Sequence, residues 1–506
     1  MRTCLAPLIA LLIGAVPRPV AAEDWAQFRG PGGNALSLVK MLPAEWGEAK
    51  NIAWKVTLPG VAWSQAIVWG EKVFLTTAQS EKAEKPRAGD WGPGGGFFGP
   101  GGFGPGFGPG GEAPPERGPG PDSGPSPDGG PARPGSERGP QGFGGLPPFG
   151  GFGGGAPPDV TYRWKVICLD GATGKVLWEK TAHEGRPRTP KHRNNSYASE
   201  TPVTDGERLV AYFGMTGVYC YDLSGSLLWS KDLGAYPMQM DWGTGSSPVL
   251  DQQRVFVQCD NDKASFLVAL DKKTGNEVWR VARDEKSNWS TPYVWKNKQR
   301  TELVAAGGTK MRSYRPETGE LLWEMRGSGR TAITPVGNEE LLYVDSYDRM
   351  MGGRGSLVAV RAAASGDISL KAGETANSFV AWSTPINSYR VASPLLYAGC
   401  LYSLDQQSEI IRCYDAKTGK QHYRQRLPGA RGFTASPWAS DGKVFCLDQD
   451  GVTVVLQAGP ELKVVATSKL DEMFWSSPAV VGERLLLRGV DHLYCIAGSS
   501  STREKQ

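Results

Sequence analysis

The side chains with the clearest chemical potential are aromatic rings and arginines that recur just ahead of Ser-Pro or Thr-Pro pairs. An indole offers a flat surface for stacking, and an arginine offers paired N–H donors to an anion. If folding gathers these positions, they form an aromatic funnel for a planar or anionic ligand. The alternative is that the aromatic rings only pack against one another. The candidates are Trp63, Arg193, Asn195, Tyr197, Trp242, Trp289, Arg330, Arg390, Arg431 and Trp475.

Glu200 is a further candidate because of where it stands in the repeat. It immediately precedes Thr201-Pro202, whereas the corresponding position elsewhere holds a small or apolar residue such as Ser246 or Ala392. A carboxylate at such a position is costly unless it is paired or hydrated. The preceding segment, 192–195, could pair with it, orient a ligand or help to bind a cation.

Other catalytic or metal-binding signals are weak. Asp260-Asn261-Asp262 supplies hard oxygen donors of the kind that calcium uses, but three such residues more often form a turn. The four histidines are scattered. The sequence has no zinc-protease helix, no nucleophile elbow and no phosphate-binding loop, so it assigns no catalytic residue.

These candidates lie between copies of one repeating unit, Asp-x-x-Thr-Gly-x-x-x-Trp. Each copy follows a Ser/Thr-Pro pair, or Ser64-Gln65 in the first blade, and contains short β-rich runs separated by turn residues, which predicts an antiparallel meander. Thr-Gly suits a tight turn because glycine accepts a positive φ. Copies that keep the tryptophan end at Trp178, Trp229, Trp279 and Trp323, and the copy at residues 415–423 ends in tyrosine.

The spacing of the copies predicts the fold. A period of roughly 40 to 45 residues is typical of β-propellers. Residues 51–58, which include Trp54, resemble a fourth strand without its first three, whereas residues 474–496 supply three strands and stop. We therefore predict an all-β, eight-bladed propeller of four-stranded antiparallel blades over residues 51–498, closed by the N-terminal strand.

The segments outside the repeats have other signatures. Residues 1–22 predict a secretory signal peptide, residues 23–50 a lead-in, and residues 499–506 a tail. Residues 79–160 form a Gly/Pro-rich insertion in the first blade with too few apolar residues to order itself. Cys168, Cys220, Cys413 and Cys495 occupy the repeat position of Ala269, and the other three cysteines of the mature chain lie in or beside second strands, which favours buried thiols over disulfides.

Charge and hydropathy limit the partners. The net charge of +4 is reduced further once the two arginines of the signal segment are removed. A nearly neutral chain without a basic stripe predicts no nucleic-acid partner. Because residues 1–22 predict export, we expect the mature protein in the periplasm or outside the cell, without a transmembrane segment. We also expect a monomer.

The repeated Leu-Asp-x-x-Thr-Gly-x-x-x-Trp units resemble the pyrroloquinoline-quinone (PQQ) repeat. The lead-in Trp25-x-Gln27-Phe28-Arg29-Gly30-Pro31 resembles that of secreted propellers of Planctomycetes-type bacteria. The resemblance implies that the repeat tryptophans, together with Trp54, dock neighbouring blades. Proteins with this repeat include quinoprotein dehydrogenases and the non-catalytic outer-membrane-protein assembly factor.

Two functions follow from this resemblance. The favoured one is a non-catalytic binding or assembly scaffold in the cell envelope, with a protein or an envelope polymer as its partner. The alternative is a PQQ- and calcium-dependent dehydrogenase of an alcohol or a sugar, or a degenerate relative that binds a small ligand. The sequence lacks the adjacent Cys-Cys pair that many of these enzymes carry, and no position matches their calcium ligands.

Overall fold

The predicted eight-bladed propeller is confirmed in the computed structural model. The structure describes residues 24–40, 42–82, 85–86, 155–327, 329–348, 354–386, 388–406 and 408–498. Eight separate sheets follow one another along the chain, and each contains four antiparallel strands. The described helices are three short 3-10 turns, none of which is long and apolar enough to cross a membrane.

The strands of the lead-in and the first four blades are as follows. The lead-in holds β1 (Leu36–Ser37), and β2 (Ile52–Thr57) follows it. Blade 1 is β3 (Ile67–Trp69), β4 (Lys72–Gln79), β5 (Tyr162–Asp170) and β6 (Val176–Gly185). Blade 2 is β7 (Val203–Thr204), β8 (Arg208–Tyr212), β9 (Val218–Asp222) and β10 (Leu227–Lys231). Blade 3 is β11 (Val249–Leu250), β12 (Arg254–Cys259), β13 (Phe266–Asp271) and β14 (Glu277–Ala282). Blade 4 is β15 (Tyr293–Lys296), β16 (Thr301–Ala306), β17 (Lys310–Tyr314) and β18 (Leu321–Arg326).

The remaining strands complete the ring. Blade 5 is β19 (Val336–Gly337), β20 (Leu341–Asp348), β21 (Arg354–Arg361) and β23 (Val380–Pro385), with β22 (Gly366–Asp367) in the last connection. Blade 6 is β24 (Leu395–Tyr397), β25 (Cys400–Leu404), β26 (Ile410–Asp415) and β27 (Gln421–Arg426). Blade 7 is β28 (Trp438–Ser440), β29 (Lys443–Leu447), β30 (Val452–Gln457) and β31 (Val464–Lys469). Blade 8 is β32 (Ala479–Val481), β33 (Arg484–Arg488) and β34 (His492–Ala497), joined by β2.

The ring is closed by the N-terminal strand. β2 lies antiparallel to β34, with Trp54 opposite Cys495 and Val56 opposite Leu493. β34 in turn pairs with β33. The two ends of the propeller therefore share one sheet, which removes two open edges.

Two strands were not predicted, and each covers an edge. β1 pairs in parallel with β28, the innermost strand of blade 7, and β22 pairs in parallel with β18, the outermost strand of blade 4. Each extends its sheet to five strands. The unpaired N–H and C=O groups of an edge strand accept an added strand wherever the chain passes close by.

Indole rings join neighbouring blades where the repeat is intact. In blade 3 the Asp271 carboxylate accepts the Thr274 N–H at 2.8 Å, and Gly275 takes φ 74°. The Trp229 ring of blade 2 lies against this glycine, and its Nε1 donates to the Lys272 carbonyl at 3.1 Å. The same contact is made by Trp54, Trp178, Trp279 and Trp382 with the carbonyls of Gly171, Leu223, Pro316 and Ala416.

Trp323 differs from the other repeat tryptophans. Blade 5 has no Thr-Gly turn to receive its ring, and its Nε1 donates instead to the Glu302 carboxylate of its own blade at 2.7 Å. Glu302 is fully buried and also accepts from Ser313 at 2.6 Å and from Arg300 at 3.0 Å. A buried carboxylate thus replaces the backbone carbonyl of the other junctions.

The core runs between the blades, and the cysteines belong to it. The middle strands are almost wholly buried, as in the run Phe266–Leu270 of β13. All seven cysteines after the signal segment are buried and unpaired, as the sequence predicted. β4 pairs with β5 across the predicted insertion. The signal segment 1–22, residues 87–154 of the insertion and the tail 499–506 lie outside the described residues.

Candidate functional site

A ring of backbone-to-hydroxyl hydrogen bonds surrounds the propeller axis, and it explains the Ser/Thr-Pro repeat. In each case the hydroxyl before proline accepts the N–H of the corresponding residue in the preceding blade. The seven acceptors are Thr201, Ser247, Thr291, Thr334, Ser393, Ser436 and Ser477, at 2.9–3.2 Å. We call these residues the hydroxyl ring. The proline that follows each hydroxyl has no N–H that would need a partner of its own.

The eighth position of the ring is held by Gln65. Its N–H donates to Thr201, its Nε2 donates to the Pro478 carbonyl, and its Oε1 accepts the Arg29 N–H at 2.8 Å. An amide reaches farther than a hydroxyl and can donate and accept at once. Gln65 therefore joins the first blade, the last blade and the lead-in.

The lead-in crosses one end of the axis. Its backbone carbonyls accept hydrogen bonds from backbone N–H groups of blades 1, 2 and 7. The Trp25 carbonyl accepts from Val68, the Ala26 carbonyl from Thr204, and the Ala35 carbonyl from Ala439. Asn34 adds a bond to the Gly337 carbonyl of blade 5 at 3.1 Å. The segment thus contacts blades all around the ring and narrows the channel at that end.

The opposite end of the axis is an open cavity of about 230 Å³, which we call the funnel. Six members of the hydroxyl ring line it near the axis, and Phe28 of the lead-in lines both this cavity and the one on the opposite face. Among the described residues, no aspartate, glutamate, histidine or cysteine lines the funnel. Its wall consists of aromatic rings, hydroxyls, amides and arginines.

Seven of the predicted candidates do line the funnel. They are Trp63, Asn195, Trp242, Trp289, Arg330, Arg390 and Trp475. The Trp63 and Trp475 rings lie 5.0 Å apart between centroids and are tilted by 38°. The Asn195 side-chain amide donates to the Trp242 carbonyl at 2.6 Å, and the Trp289 indole N–H donates to the Gly243 carbonyl at 2.6 Å. These bonds fix the loops that carry the rings.

The two funnel arginines differ in what they can still bind. Arg390 has no exposed side-chain surface, and its Nε and Nη2 donate to the Asp345 carboxylate at 2.5–3.0 Å. Its charge is therefore already compensated. Arg330 is half-buried, and its guanidinium makes no ion pair with any described residue. Arg330 is thus the cation of the wall that can meet a ligand.

Four predicted candidates lie outside the funnel lining. Arg193 and Arg431 are exposed, and Arg431 lies 3.7 Å from Asp450. Tyr197 turns into blade 1, where its ring packs edge-on against Tyr162 with centroids 5.0 Å apart. Glu200 is also absent from the lining. The position of these residues in the repeat predicted that their loops lie near the funnel. It did not predict whether each side chain turns toward the cavity.

Glu200 is buried between blades rather than exposed to a ligand. Only 1% of its surface is accessible, and its Oε1 has no hydrogen-bond partner among the described residues. Burial raises the pKa of Glu200 to about 7, against the opposing effect of Thr244 and of nearby backbone N–H groups. The carboxyl group is therefore neutral over much of the acidic range.

The segment before Glu200 forms part of the funnel rim instead of pairing with the carboxylate. The His192 ring stacks on Trp242 with centroids 4.1 Å apart, and burial lowers the pKa of His192 to about 4. Lys191 is half-buried, and burial lowers its pKa to about 8. This side of the rim therefore presents a neutral imidazole over an indole face.

The weak metal candidates are committed to other contacts. Asp260 is buried and binds the Arg283 guanidinium at 2.8 and 3.0 Å. Asn261 closes its own turn by accepting from Ala264 at 2.7 Å, and Asp262 accepts from Ser287 at 2.8 Å. Across the described ranges, no three His, Cys, Asp or Glu side chains are arranged to hold a metal ion.

The sequence did not single out Phe28 or Gln65 as site residues. Phe28 lies far from the repeats along the chain, and Gln65 stands where the other blades have serine or threonine. The available signal for Gln65 was that break in the pattern. Phe28 lies outside the repeats, so its sequence position did not indicate that it would lie near the axis.

Comparisons with known proteins agree with the geometry. Residues 163–293 and 263–369 match the family described as outer membrane protein assembly factor BamB. No curated protein sequence matches the chain significantly.

Two solved dehydrogenase structures share the fold. A europium-containing methanol dehydrogenase is similar with a TM-score of 0.55 at 9% identity, over 94% of this chain and 98% of its own. The quinohemoprotein alcohol dehydrogenase from Comamonas testosteroni gives 0.55 at 9% identity, over 94% and 80%. BamB from Moraxella catarrhalis gives 0.49 at 14% identity, over 66% and 89%.

Proposed function

Because this chain is a β-propeller of PQQ-like repeats, we propose that it is a non-catalytic binding propeller that works outside the cytoplasm. Its funnel face receives part of a partner, either a protein or a cell-envelope polymer. The observation that carries the proposal is the chemistry of the funnel wall. Rings, hydroxyls, amides and an arginine without an ion pair can bind a ligand, and no Asp, Glu, His, Cys or Lys side chain among the described residues lines the cavity.

The wall does not fit the cofactor pair of the quinoprotein dehydrogenases. Calcium in proteins is held by several oxygens, usually including carboxylates. The Asp345 carboxylate next to the funnel is bound to Arg390, and Glu200 lies outside the lining. The described cysteines are buried within strands, and none of them lines the funnel. No reaction step through a quinone or calcium is therefore assigned to this chain.

The same wall suits reversible binding. Trp63, Trp289 and Trp475 offer ring surfaces, and the loop bonds at Asn195 and Trp289 hold those surfaces in place before a partner arrives. Binding to a preorganised surface costs less conformational entropy than binding to a mobile one. Arg330 adds a charge-assisted donor for an anionic group of the partner.

Site-specific crosslinking tests this function. A photoreactive phenylalanine replaces Trp289 in the funnel, and a matched variant carries it at Tyr397, which lines the cavity on the opposite face. We expect crosslinked partner only from position 289, and competition by excess wild-type protein but not by an Arg330→Glu variant. Equal adducts from both positions would contradict a role for the funnel.

A second measurement tests the absence of catalysis. Purified protein is mixed with PQQ and calcium, and its melting temperature and dye-linked oxidation of alcohols and sugars are recorded. We expect no shift and no oxidation. A saturable rise in melting temperature with turnover would overturn the non-catalytic proposal.

Location is tested separately. A reporter enzyme that is active only outside the cytoplasm is fused after residue 30, and a control fusion lacks residues 2–22. We expect activity from the first fusion alone. Activity from neither fusion would contradict export by this segment.

A further inference from the structure

The lead-in carries a buried charge that no acidic group of the described residues balances. Arg29 is 1% exposed, and its Nη2 donates to the Pro394 carbonyl. Its Nε and Nη1 have no hydrogen-bond partner among the described residues. Burial lowers the pKa of Arg29 to about 10. A buried guanidinium with two unpartnered N–H groups is costly unless a counter-charge joins it.

The hydroxyl ring has unused donors at the same level of the axis. Each of its oxygens accepts a backbone N–H, but none of its O–H groups donates to another described residue. A hydroxyl that already accepts one bond can still donate its own hydrogen. Six of the seven members line the funnel, so these donors face a space that a ligand can enter.

The inner end of the funnel, lined by Phe28 and the hydroxyl ring, is called its floor here. Two contacts place the Arg29 guanidinium beside this floor. Phe28, the chain neighbour of Arg29, lines the cavity. Pro394, which accepts from the guanidinium, directly follows Ser393 of the hydroxyl ring. The charge and the O–H donors therefore lie close together, and no carboxylate from the described residues lines the cavity between them.

We propose that the floor of the funnel is a binding site for a compact monoanion, held by the Arg29 guanidinium and by O–H donors of the hydroxyl ring. The buried guanidinium repels a cation, and one arginine balances one negative charge. A halide ion and a small carboxylate share this chemistry. The site goes beyond the proposed binding function, because it needs no partner on the rim.

Crystals of the full-length protein grown in sodium bromide test the site directly. We expect an anomalous peak on the axis, within hydrogen-bond distance of Arg29 and at least two ring hydroxyls. A peak elsewhere only, or ordered water without anomalous signal at this position, would overturn the proposal.

Thermal unfolding at constant ionic strength tests it in solution. Sodium gluconate, whose anion is too large for the floor, is replaced stepwise by sodium chloride or sodium formate. We expect a saturable rise in the melting temperature of wild-type protein, because an ion that binds only the folded state stabilises it. The response to chloride and formate distinguishes a halide site from a carboxylate site.

Two variants separate the floor from the wall. Arg29→Gln removes the buried charge, and the anion-dependent rise is expected to disappear. Arg330→Gln removes the wall cation and is expected to keep the full rise. An unchanged rise in Arg29→Gln refutes the site, and if that variant does not fold, the bromide crystal decides. None of these results depends on a partner, so failure here leaves the crosslinking test of the proposed function unaffected.

Discussion

Two kinds of indole junction join blades of the propeller, and they differ in what accepts the indole N–H. Between blades 2 and 3, Trp229 lies on Gly275 and donates to a backbone carbonyl. In blade 4, Trp323 has no glycine to lie on and donates to the buried Glu302 carboxylate. The first kind depends only on a turn of the next blade. The second depends on a charge network, with Arg300 and Ser313 as further donors.

The difference shows how a repeat can lose its motif without losing its fold. Where the Thr-Gly turn is kept, one indole and one glycine form the junction locally. Where the turn is absent, side chains of the same blade and the added strand β22 take over. Replacement of a neutral contact by a buried charge makes that junction more sensitive to loss of a single partner.

Removing the indole is the strongest way to break the first kind of junction. Trp229 is 9% exposed, so Trp229→Ala opens a cavity between blades 2 and 3. We expect a loss of about 3–5 kcal/mol in the free energy of unfolding. Urea denaturation measures it, and a loss below about 1 kcal/mol would mean that the ring is not a docking element.

Glu200 tests how much a buried carboxyl group matters near the axis, away from the indole contacts. Its pKa rises from an ordinary 4.5 to about 7 on folding. A raised folded pKa stabilises the protein below the unfolded value, and this contribution is lost as the pH rises through about 7. The change amounts to about 3 kcal/mol.

The measurement compares wild type with Glu200→Gln across that pH window. We expect the unfolding free energy of wild type to fall between about pH 4.5 and pH 7 more steeply than that of the variant. Identical pH profiles would show that Glu200 keeps its ordinary pKa in the folded protein.

A matched pair of glycines separates crowding at the junction from backbone strain. Gly275 and Gly366 have φ values of 74° and 70°, but an added Cβ meets Trp229 at 2.5 Å only at Gly275. Gly366→Ala should cost about 1–2 kcal/mol through strain. We expect Gly275→Ala to cost about 1–3 kcal/mol more. Equal losses in urea denaturation would remove the steric part of the argument.

The smallest effect distinguishes the two acceptors. Trp323→Phe leaves the Glu302 carboxylate without one donor, whereas Trp229→Phe leaves a carbonyl without one. Hydrogen bonds to charged groups are the stronger, so we expect Trp323→Phe to cost about 1 kcal/mol more than Trp229→Phe. Equal costs would mean that the other donors to Glu302 compensate for the missing indole.

The sequence predicted the fold because blade structure depends on local, repeated features. Ser/Thr-Pro pairs, alternating apolar runs and Thr-Gly turns each act within one blade, and the surplus strand containing Trp54 predicted the closure. Side-chain directions at the axis depend on contacts between blades. Arg390 is bound by Asp345 of another blade, and Tyr197 packs on Tyr162. The spacing of the repeats does not predict either pairing.

The sequence did not predict the added strand β22 or the path of the lead-in across the axis, and the reason is related. Both result from chain segments that pass an open sheet edge or channel, and their own residues show no strong strand pattern. Arg29 was noted in the sequence only as part of a lead-in motif. Its burial became visible only once blades 4 and 6 were placed around it.

The shared sheet of blade 8 has a consequence for biosynthesis. β2 leaves the ribosome before every strand of blades 1–7, whereas its hydrogen-bonding neighbour β34 leaves after all of them. Such distant pairing slows folding and leaves an unsatisfied edge in the nascent chain. We expect a chaperone to guard Ile52–Thr57 until synthesis ends, and chains truncated before His492 to be prone to self-association.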